Sequence, residues 1–316
     1  MTNLLRWFDS EAMVEQVDQS DTSLSWLRTM PFFGLHLGCL GVIWVGVSAF
    51  AAWFALGFFL LRMFAITGFY HRYFAHKTFT TNRFWQFIFA ALGVSAVQRG
   101  PLWWAAHHRH HHQHADTEQD RHSPRERGFW YSHIGWFTCD AAFLTDYSRV
   151  RDWARFPELR FLNRFDIAVP LLCALAIYVL GEGLAVWAPG LGTNGPQLLV
   201  WGFVISTVVL FHATVSINSL AHVWGRRRFD TQDDSRNSFL LALITLGEGW
   251  HNNHHRYPNT ARQGFRWWEV DVTFYLLWLL ERLRIIRDLK PIPPSIRKET
   301  LERDRQFRAG GSYEPE

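Results

Sequence analysis

Between Pro31 and Tyr70 this sequence carries a single charged side chain, Arg62, in a run long enough to cross a bilayer twice. At 1.5 Å of rise per residue, about 20 helical residues traverse a hydrocarbon core of roughly 30 Å. The stretch therefore divides into two spans, about 31–50 and 52–70, folded back near Ser48 to Trp53. A second pair occupies about 167–187 and 197–217, separated by the uncharged turn Pro189-Gly190-Leu191-Gly192-Thr193-Asn194-Gly195. The expected fold is all-α: an integral membrane protein with four transmembrane helices and both termini on one side. Apart from Arg62, Lys and Arg fall in the N-terminal tail, in 71–164 or after 218, and the opposite-side turns have none. The bias of basic residues toward the cell interior makes the segments after each pair of spans cytoplasmic. Arg62 itself is expected near a cytosolic helix end, snorkelling or facing protein.

The domain organisation expected is an N-terminal cytoplasmic tail over 1–30, one membrane domain over 31–290 and a tail over 291–316. That last tail, opening with Pro291, Pro293 and Pro294 before mixed charges, reads as weakly ordered. Shorter apolar runs, Phe84 to Val97, Phe239 to Leu246 and Val270 to Leu280, are expected at the interface or over the cytosolic region. A mean hydropathy of −0.08 resembles a soluble protein only because charged and apolar stretches are averaged together. The 27 Phe, 17 Trp and 8 Tyr suit interfacial anchoring or an apolar tunnel. Cys39, Cys139 and Cys173 share no close spacing, which argues against a disulfide framework, a thiolate metal site or an iron–sulfur cluster. Basic residues, with a pI near 9.1, do not interleave with a nucleic-acid motif, so no nucleic acid is expected as a partner. Acidic residues within the first 24 positions, without a continuous apolar core, argue against a cleavable signal peptide.

Nine of the 16 His fall into tight constellations placed mostly just beyond the spans. These are His71 with His76; His108 with His111 and His112; His222; and His251 with His254 and His255. Nine imidazoles are too many for one metal ion and about right for two. The i, i+3, i+4 spacing of both triplets is expected to project all three rings of each toward a common point. Asn218 and His222, four apart, share a face. His71 and His76 are five apart, off-face for a regular helix, so either the helix loosens there or the two rings serve different metals. Imidazole without thiolate suits zinc, copper, iron or nickel, and the ligand type alone leaves these open.

The strings His71-Arg72-Tyr73-Phe74-Ala75-His76, His108-Arg109-His110-His111-His112, Asn218-Ser219-Leu220-Ala221-His222 and Gly247-Glu248-Gly249-Trp250-His251-Asn252-Asn253-His254-His255 resemble the membrane fatty acyl desaturases, in particular the stearoyl-CoA desaturase branch in its bacterial form. Their order, spacing and placement match over roughly 30–285. That resemblance implies a cytoplasmic helical region in which His71, His76, His108, His111, His112, His222, His251, His254 and His255 bind two iron ions. Asn218 would reach one of them through water. It implies a reaction in which dioxygen, with two electrons from an external donor, takes hydrogen from neighbouring methylenes of a saturated acyl chain. The product expected is a cis alkene, at Δ9, with water. Electron-donor candidates are a cytochrome b5-like protein, a ferredoxin, or a rubredoxin with its reductase. The protein would lie in a bacterial inner membrane, among membrane lipid.

Around these ligands, Glu248, Asp116 and Asp120 are candidates to hydrogen-bond the far nitrogen of a liganding His. His107, His110 and His114 fall outside the motif and are expected in supporting or surface roles; His36, His212, His122 and His133 are expected as packing or loop residues. Trp103, Trp104, Trp136 and Trp250 are candidates for tunnel walls. Where animal relatives place basic residues that bind coenzyme A, this chain has Ala106-His107 and Cys139-Asp140-Ala141. Arg226, Arg227, Arg228, Arg99 and Lys77 are possible substitutes, so acyl-CoA and acyl-lipid both stand as substrates. Two alternatives accompany this reading: a hydroxylase or ketolase on the same diiron core, and a metal-transporting or metal-buffering membrane protein.

Overall fold

A computed structural model describes residues 8–12 and 23–309; among them the fold is mostly helical, with one two-residue strand pair. In chain order the helices used below are α1 (Trp26–Gly38), α2 (Ala49–Phe64), α3 (Arg83–Val94), α4 (Pro101–His114), α5 (Phe129–His133) and α6 (Pro157–Arg164), followed by α7 (Ala168–Trp187), α8 (Ser206–Asn218), α9 (Phe239–Ile244), α10 (His251–Arg256), α11 (Val272–Arg282) and α12 (Pro294–Arg308). Strands Thr80–Thr81 and Ile286–Arg287 pair antiparallel and tie the segment after the first hairpin to the region after α11.

Four continuous helical stretches are long and apolar enough to cross a membrane: Arg28–Val45, Ala49–Ala75, Ala168–Trp187 and Gly195–His222. The first hairpin turns at Gly46, whose φ of 63° is left-handed, a conformation that favours glycine. The fourth span is the centre of the membrane region, packing against each of the other three. Small residues permit that approach; a Cβ on Gly202 would stand 2.6 Å from the Phe54 ring. Trp44, Trp53 and Trp187 are exposed at the ends of the spans remote from the His clusters, where amphipathic rings favour the headgroup level.

Arg62 faces protein, completely buried inside the second span. Its guanidinium donates to Thr207 Oγ1 (2.7 Å), Ser206 Oγ (2.6 Å) and the Ser95 carbonyl (3.2 Å), and lies 4.2 Å from the centre of the Phe58 ring. The cation thereby joins the second span to the fourth with hydrogen bonds that replace water.

Below the spans, on the side where their His-bearing ends emerge, α3, α4 and the loops through α6 pack on the end of the second span. The main core gathers Phe69, Tyr70, Phe74, Phe89, Leu102 and Leu159 there. Over its described residues, 291–309, the tail expected to be weakly ordered forms a helix packed on the body. Pro294 starts α12 at a position where its missing N–H costs nothing, and Ile292 and Ile296 pack with Phe229 and Phe265. Asp304 pairs with Arg228 at 3.1 Å, and Glu299 with Arg256 at 2.8 Å, so the charges that suggested disorder have partners on the body.

Candidate metal centre

The end of the second span winds as a π-helix over Ala65–Ala75. The His76 amide donates to the His71 carbonyl at 3.1 Å, five residues back, which is π-helical pairing. Wider winding brings residues five apart onto one side, and both rings point into the same group of imidazoles. Of the two outcomes allowed by that spacing, the helix loosens and the rings stay together.

The two HxxHH triplets behave differently from expectation. Neither sends its three rings to one point. In α4, His108 and His112 join His71, His76 and His254, whereas His111 joins His222, His251 and His255. In α10 the division is mirrored: His254 goes to the first group, His251 and His255 to the second. Successive residues on an α-helix lie about 100° apart, so the adjacent pairs His111-His112 and His254-His255 diverge. One helix thus supplies both groups, which lie side by side: the His112 and His255 ring centres are 4.6 Å apart.

Within the first group the Nε2 atoms form a closely spaced series. His71 to His254 is 3.0 Å, His254 to His112 2.9 Å, His112 to His108 3.0 Å and His108 to His76 2.8 Å. In the second, His222 Nε2 and His251 Nε2 are 3.0 Å apart. The opposite ring nitrogens face carboxylates. His71 Nδ1 lies 2.5 Å from Glu248, His222 Nδ1 donates to Asp116 at 2.7 Å, His111 Nδ1 to Asp120 at 2.9 Å, and His255 Nδ1 to Asp233 at 2.9 Å. Glu248, Asp116 and Asp120 therefore occupy the positions anticipated for them. Asp233 was missed, because nothing in the run Asp230 to Asp234 relates it in spacing to His255.

These carboxylates are themselves fixed. Arg72, fully buried, binds Glu248 at 3.0 Å and Asp271 at 2.9 Å and donates to the Ala261 carbonyl at 2.6 Å. Asp116 accepts from Ser123 Oγ at 2.7 Å and from the Asp234 amide at 2.8 Å. Between the triplet's imidazoles, Asn252 accepts from the Arg228 and Phe229 amides, while Asn253 donates to Glu269 and to the Gln263 carbonyl, clamping α10. The motif glycines serve the same packing: a Cβ on Gly249 would meet the Ala242 amide at 2.1 Å.

Burial is the main force on the imidazoles, and it pushes His76, His108, His112, His251 and His254 well below the ordinary histidine range. His255 is also lowered by burial, against the opposing charge of Asp233, whereas beside Asp120 burial is outweighed and His111 is raised. Burial alone would raise the carboxyls of Asp116, Asp120 and Asp233, but their imidazole partners and hydrogen-bond donors hold all three well below the usual range. Lowered rings and ionised carboxylates favour the protonation state a metal site requires, His111 excepted.

A neutral imidazole has one N–H. With that hydrogen on Nδ1, directed at a carboxylate, Nε2 of His111, His222 and His255 presents a lone pair to the shared space. His255 Nε2 is buried with no hydrogen-bond donor near it. Converging lone pairs without donors repel one another, and a divalent cation among them removes the repulsion. The donor set is nitrogen-rich, free of thiolate, and fits iron among the metals that imidazole accepts.

An apolar cavity abuts this centre between the first and fourth spans and the segments beyond their His-bearing ends. Its wall includes His108 and Asn218 beside Trp103, Trp104 and Trp136. Trp250 lies elsewhere, its indole N–H donated to the Val270 carbonyl at 2.8 Å. Trp104 lies nearly parallel to the His108 ring, with centres 4.9 Å apart. His107 stands against Trp103 and also lines the cavity, while His110 and His114 contact one another on the outer face of α4. His122 lies beside Asp120 and His111, forming with them a third cluster able to hold a metal. The basic residues considered for coenzyme A are engaged. Arg228 pairs with Glu269 (2.5 Å), Arg227 with Asp234 (3.8 Å), Arg99 with Asp166 (3.1 Å) and Lys77 with Asp152 (2.5 Å); Arg226 lies over the Phe307 ring.

Residues 24–282 match the fatty acid desaturase family model. The chain is 36% identical over 283 residues, 87% of its length and 83% of the relative's, to an acyl-CoA 5-desaturase (AL21) of Anemone leveillei. It is 35% identical to the sn-2 palmitoyl-lipid 9-desaturase of Nostoc sp. (strain 36), covering 86% of this chain and 92% of that one. With the sn-1 stearoyl-lipid 9-desaturase of Anabaena variabilis the identity is 34%, over 84% and 94% of the two chains. A matched region that contains both imidazole groups, together with relatives aligned over most of their length, places this protein in the fatty acid desaturase family.

Proposed function

We propose that the protein is a dioxygen-dependent acyl-lipid desaturase that forms a cis double bond, at Δ9, with two iron ions. The observation that carries this reading is the convergence of nine imidazoles into two adjoining groups beside an apolar cavity. His71, His76, His108, His112 and His254 would hold one iron; His111, His222, His251 and His255, with Asn218 through water, would hold the other. When bound, the iron pair supplies the redox chemistry that removes two hydrogens from adjacent methylenes while dioxygen is reduced to water. The chain's own residues make that chemistry selective. Glu248, Asp116, Asp120 and Asp233 fix the tautomers of four rings and keep their Nε2 lone pairs available. The apolar cavity excludes bulk water and holds the acyl chain against His108 and Asn218, so that one pair of methylenes approaches the centre.

Two external electrons per turnover come from a separate carrier of the cytochrome b5, ferredoxin or rubredoxin kind, docking on the cytoplasmic face. Placement of the centre on that side is supported by the absence of Lys and Arg from the opposite turns. An acyl group on a glycerolipid, rather than on coenzyme A, is supported by the engagement of Arg99, Arg227, Arg228 and Lys77 with carboxylates of the protein. Phosphate recognition needs cations whose charge is not already met.

The test is expression in a host of defined lipid composition with a matched electron donor, followed by mass spectrometry of intact lipids and acyl-CoA. Loss of two mass units from glycerolipid acyl chains is expected. Gain of an oxygen would make the protein a hydroxylase, and unchanged lipids with altered metal uptake on His111→Ala or His254→Ala would make it a metal carrier.

A further inference from the structure

Outside the metal centre, three histidines form a hydrogen-bonded chain through the membrane-facing part of the fold. His36 Nδ1 lies 2.8 Å from the Phe32 carbonyl, and His36 Nε2 is 2.9 Å from His212 Nε2. His212 Nδ1 is 3.1 Å from His133 Nε2, and His133 Nδ1 is 2.9 Å from Ser219 Oγ. One fixed end determines every proton. A carbonyl accepts only, so His36 carries its hydrogen on Nδ1 and accepts at Nε2. His212 must then donate from Nε2 and accept at Nδ1. His133 accordingly donates from Nε2, and its Nδ1 faces Ser219 Oγ, whose one hydrogen is shared with the Val215 carbonyl at 3.1 Å. As neutral imidazoles the three rings each take one tautomer, with both nitrogens used.

The chain joins α1 and α8, which line the cavity, to α5, and the turn just after α5 places Trp136 and Phe137 on the same wall. Phe32, four residues before His36, meets Phe137 and Phe211 edge to face, with ring centres 5.5 and 5.0 Å away. Phe137 follows His133 by four residues, and Phe211 precedes His212. At the other end, Ser219 adjoins Asn218, and Ser132 donates to the Asn218 carbonyl at 2.9 Å. A single polar chain thus sets both the aromatic wall that an acyl chain would touch and the turn carrying Asn218 to His222.

We infer that His36, His212 and His133 are positioning residues that fix the depth of the acyl chain relative to the metal centre, and thereby the position of the double bond. The inference rests on the desaturase reading above. Breaking the chain at His212 unties α1 from α5, loosens the Phe32–Phe137–Phe211 wall and lets the acyl chain slide. The rings of the metal centre keep their own carboxylates, so metal stays bound.

The experiment compares the full-length wild type with His212→Leu, His212→Gln and His36→Phe, reading double-bond positions by mass spectrometry and metal per chain by elemental analysis. A glutamine donates and accepts from one side chain and can bridge His36 and His133; leucine cannot. His212→Leu and His36→Phe are expected to keep wild-type metal content yet raise the share of off-position isomers at least about fivefold, with His212→Gln returning toward the wild-type pattern. A single unchanged isomer in both His212→Leu and His36→Phe, or equal isomer spread in the leucine and glutamine variants, overturns the inference. So does loss of metal in His36→Phe. Absence of desaturated product from the wild type itself would instead defeat the underlying functional reading.

Discussion

Replacing Asp116 by Asn removes one charge at the second imidazole group while keeping the side-chain shape. Asp116 Oδ2 accepts from His222 Nδ1 at 2.7 Å and from the Asp234 amide at 2.8 Å; Oδ1 accepts from Ser123 Oγ at 2.7 Å. An asparagine can keep its oxygen toward His222 and Asp234 and turn its NH2 to Ser123, whose hydroxyl also accepts. The fold therefore survives, and what is lost is the ionic support that makes His222 a strong donor. Loss of such a partner weakens metal binding by about 10–100-fold, or roughly 1.4–2.7 kcal/mol. The loss should be local, because the first group has its own support at Glu248, braced by Arg72. Titration with a competing chelator, read as metal per chain, is expected to show one of two ions released about 10–100 times more readily in Asp116→Asn. Glu248→Gln should weaken the other ion. Equal release of both ions in Asp116→Asn, or wild-type release of both, would refute the division into two separately supported groups.

Asp233→Asn should weaken the same ion as Asp116→Asn, since His255 belongs to the same group, and the two variants together should lose it outright in the chelator assay. In metal-stripped protein, burial holds His122 down to about 3, so the folded ring stays neutral where the unfolded chain protonates below about 6.5. Between those values the unfolded state binds more protons, and thermal midpoints in detergent should fall as pH drops from about 7 to about 4. A rise over that interval contradicts the assignment. Arg62→Met leaves Ser206, Thr207 and the Ser95 carbonyl without their donor inside the membrane; a loss on the order of 3 kcal/mol is expected in chemical denaturation, with metal content unchanged in the folded fraction. Gly249→Ala forces a methyl to within 2.1 Å of the Ala242 backbone, and strain of about 3 kcal/mol should appear as reduced folded yield together with reduced metal per chain.

Much of this was written in local sequence. The spans follow from charge-free length, and the candidate ligand histidines were picked out by spacing, because each motif is short and local. The carboxylates Glu248, Asp116 and Asp120 were legible because they neighbour the motifs. What escaped depends on how distant segments meet. Asp233 reaches His255 from a loop, and Arg72 joins Glu248 to Asp271 across nearly 200 positions. The division of each triplet between two groups was within reach of helix geometry, since neighbours diverge by about 100°. A shared face was mistaken for a shared focus. The α12 helix was hidden because its partners, Arg228, Arg256 and Phe265, lie far back in the chain. His36, His212 and His133 gave no sign of a chain, for the same reason.

The central claim is that nine imidazoles divide five and four around two metal ions. Crystals of the metal-loaded protein, measured at wavelengths on either side of the iron absorption edge, test it most directly. Two anomalous peaks are expected, one enclosed by His71, His76, His108, His112 and His254, the other by His111, His222, His251 and His255. A single peak, or density centred instead on His111, Asp120 and His122, would contradict the account.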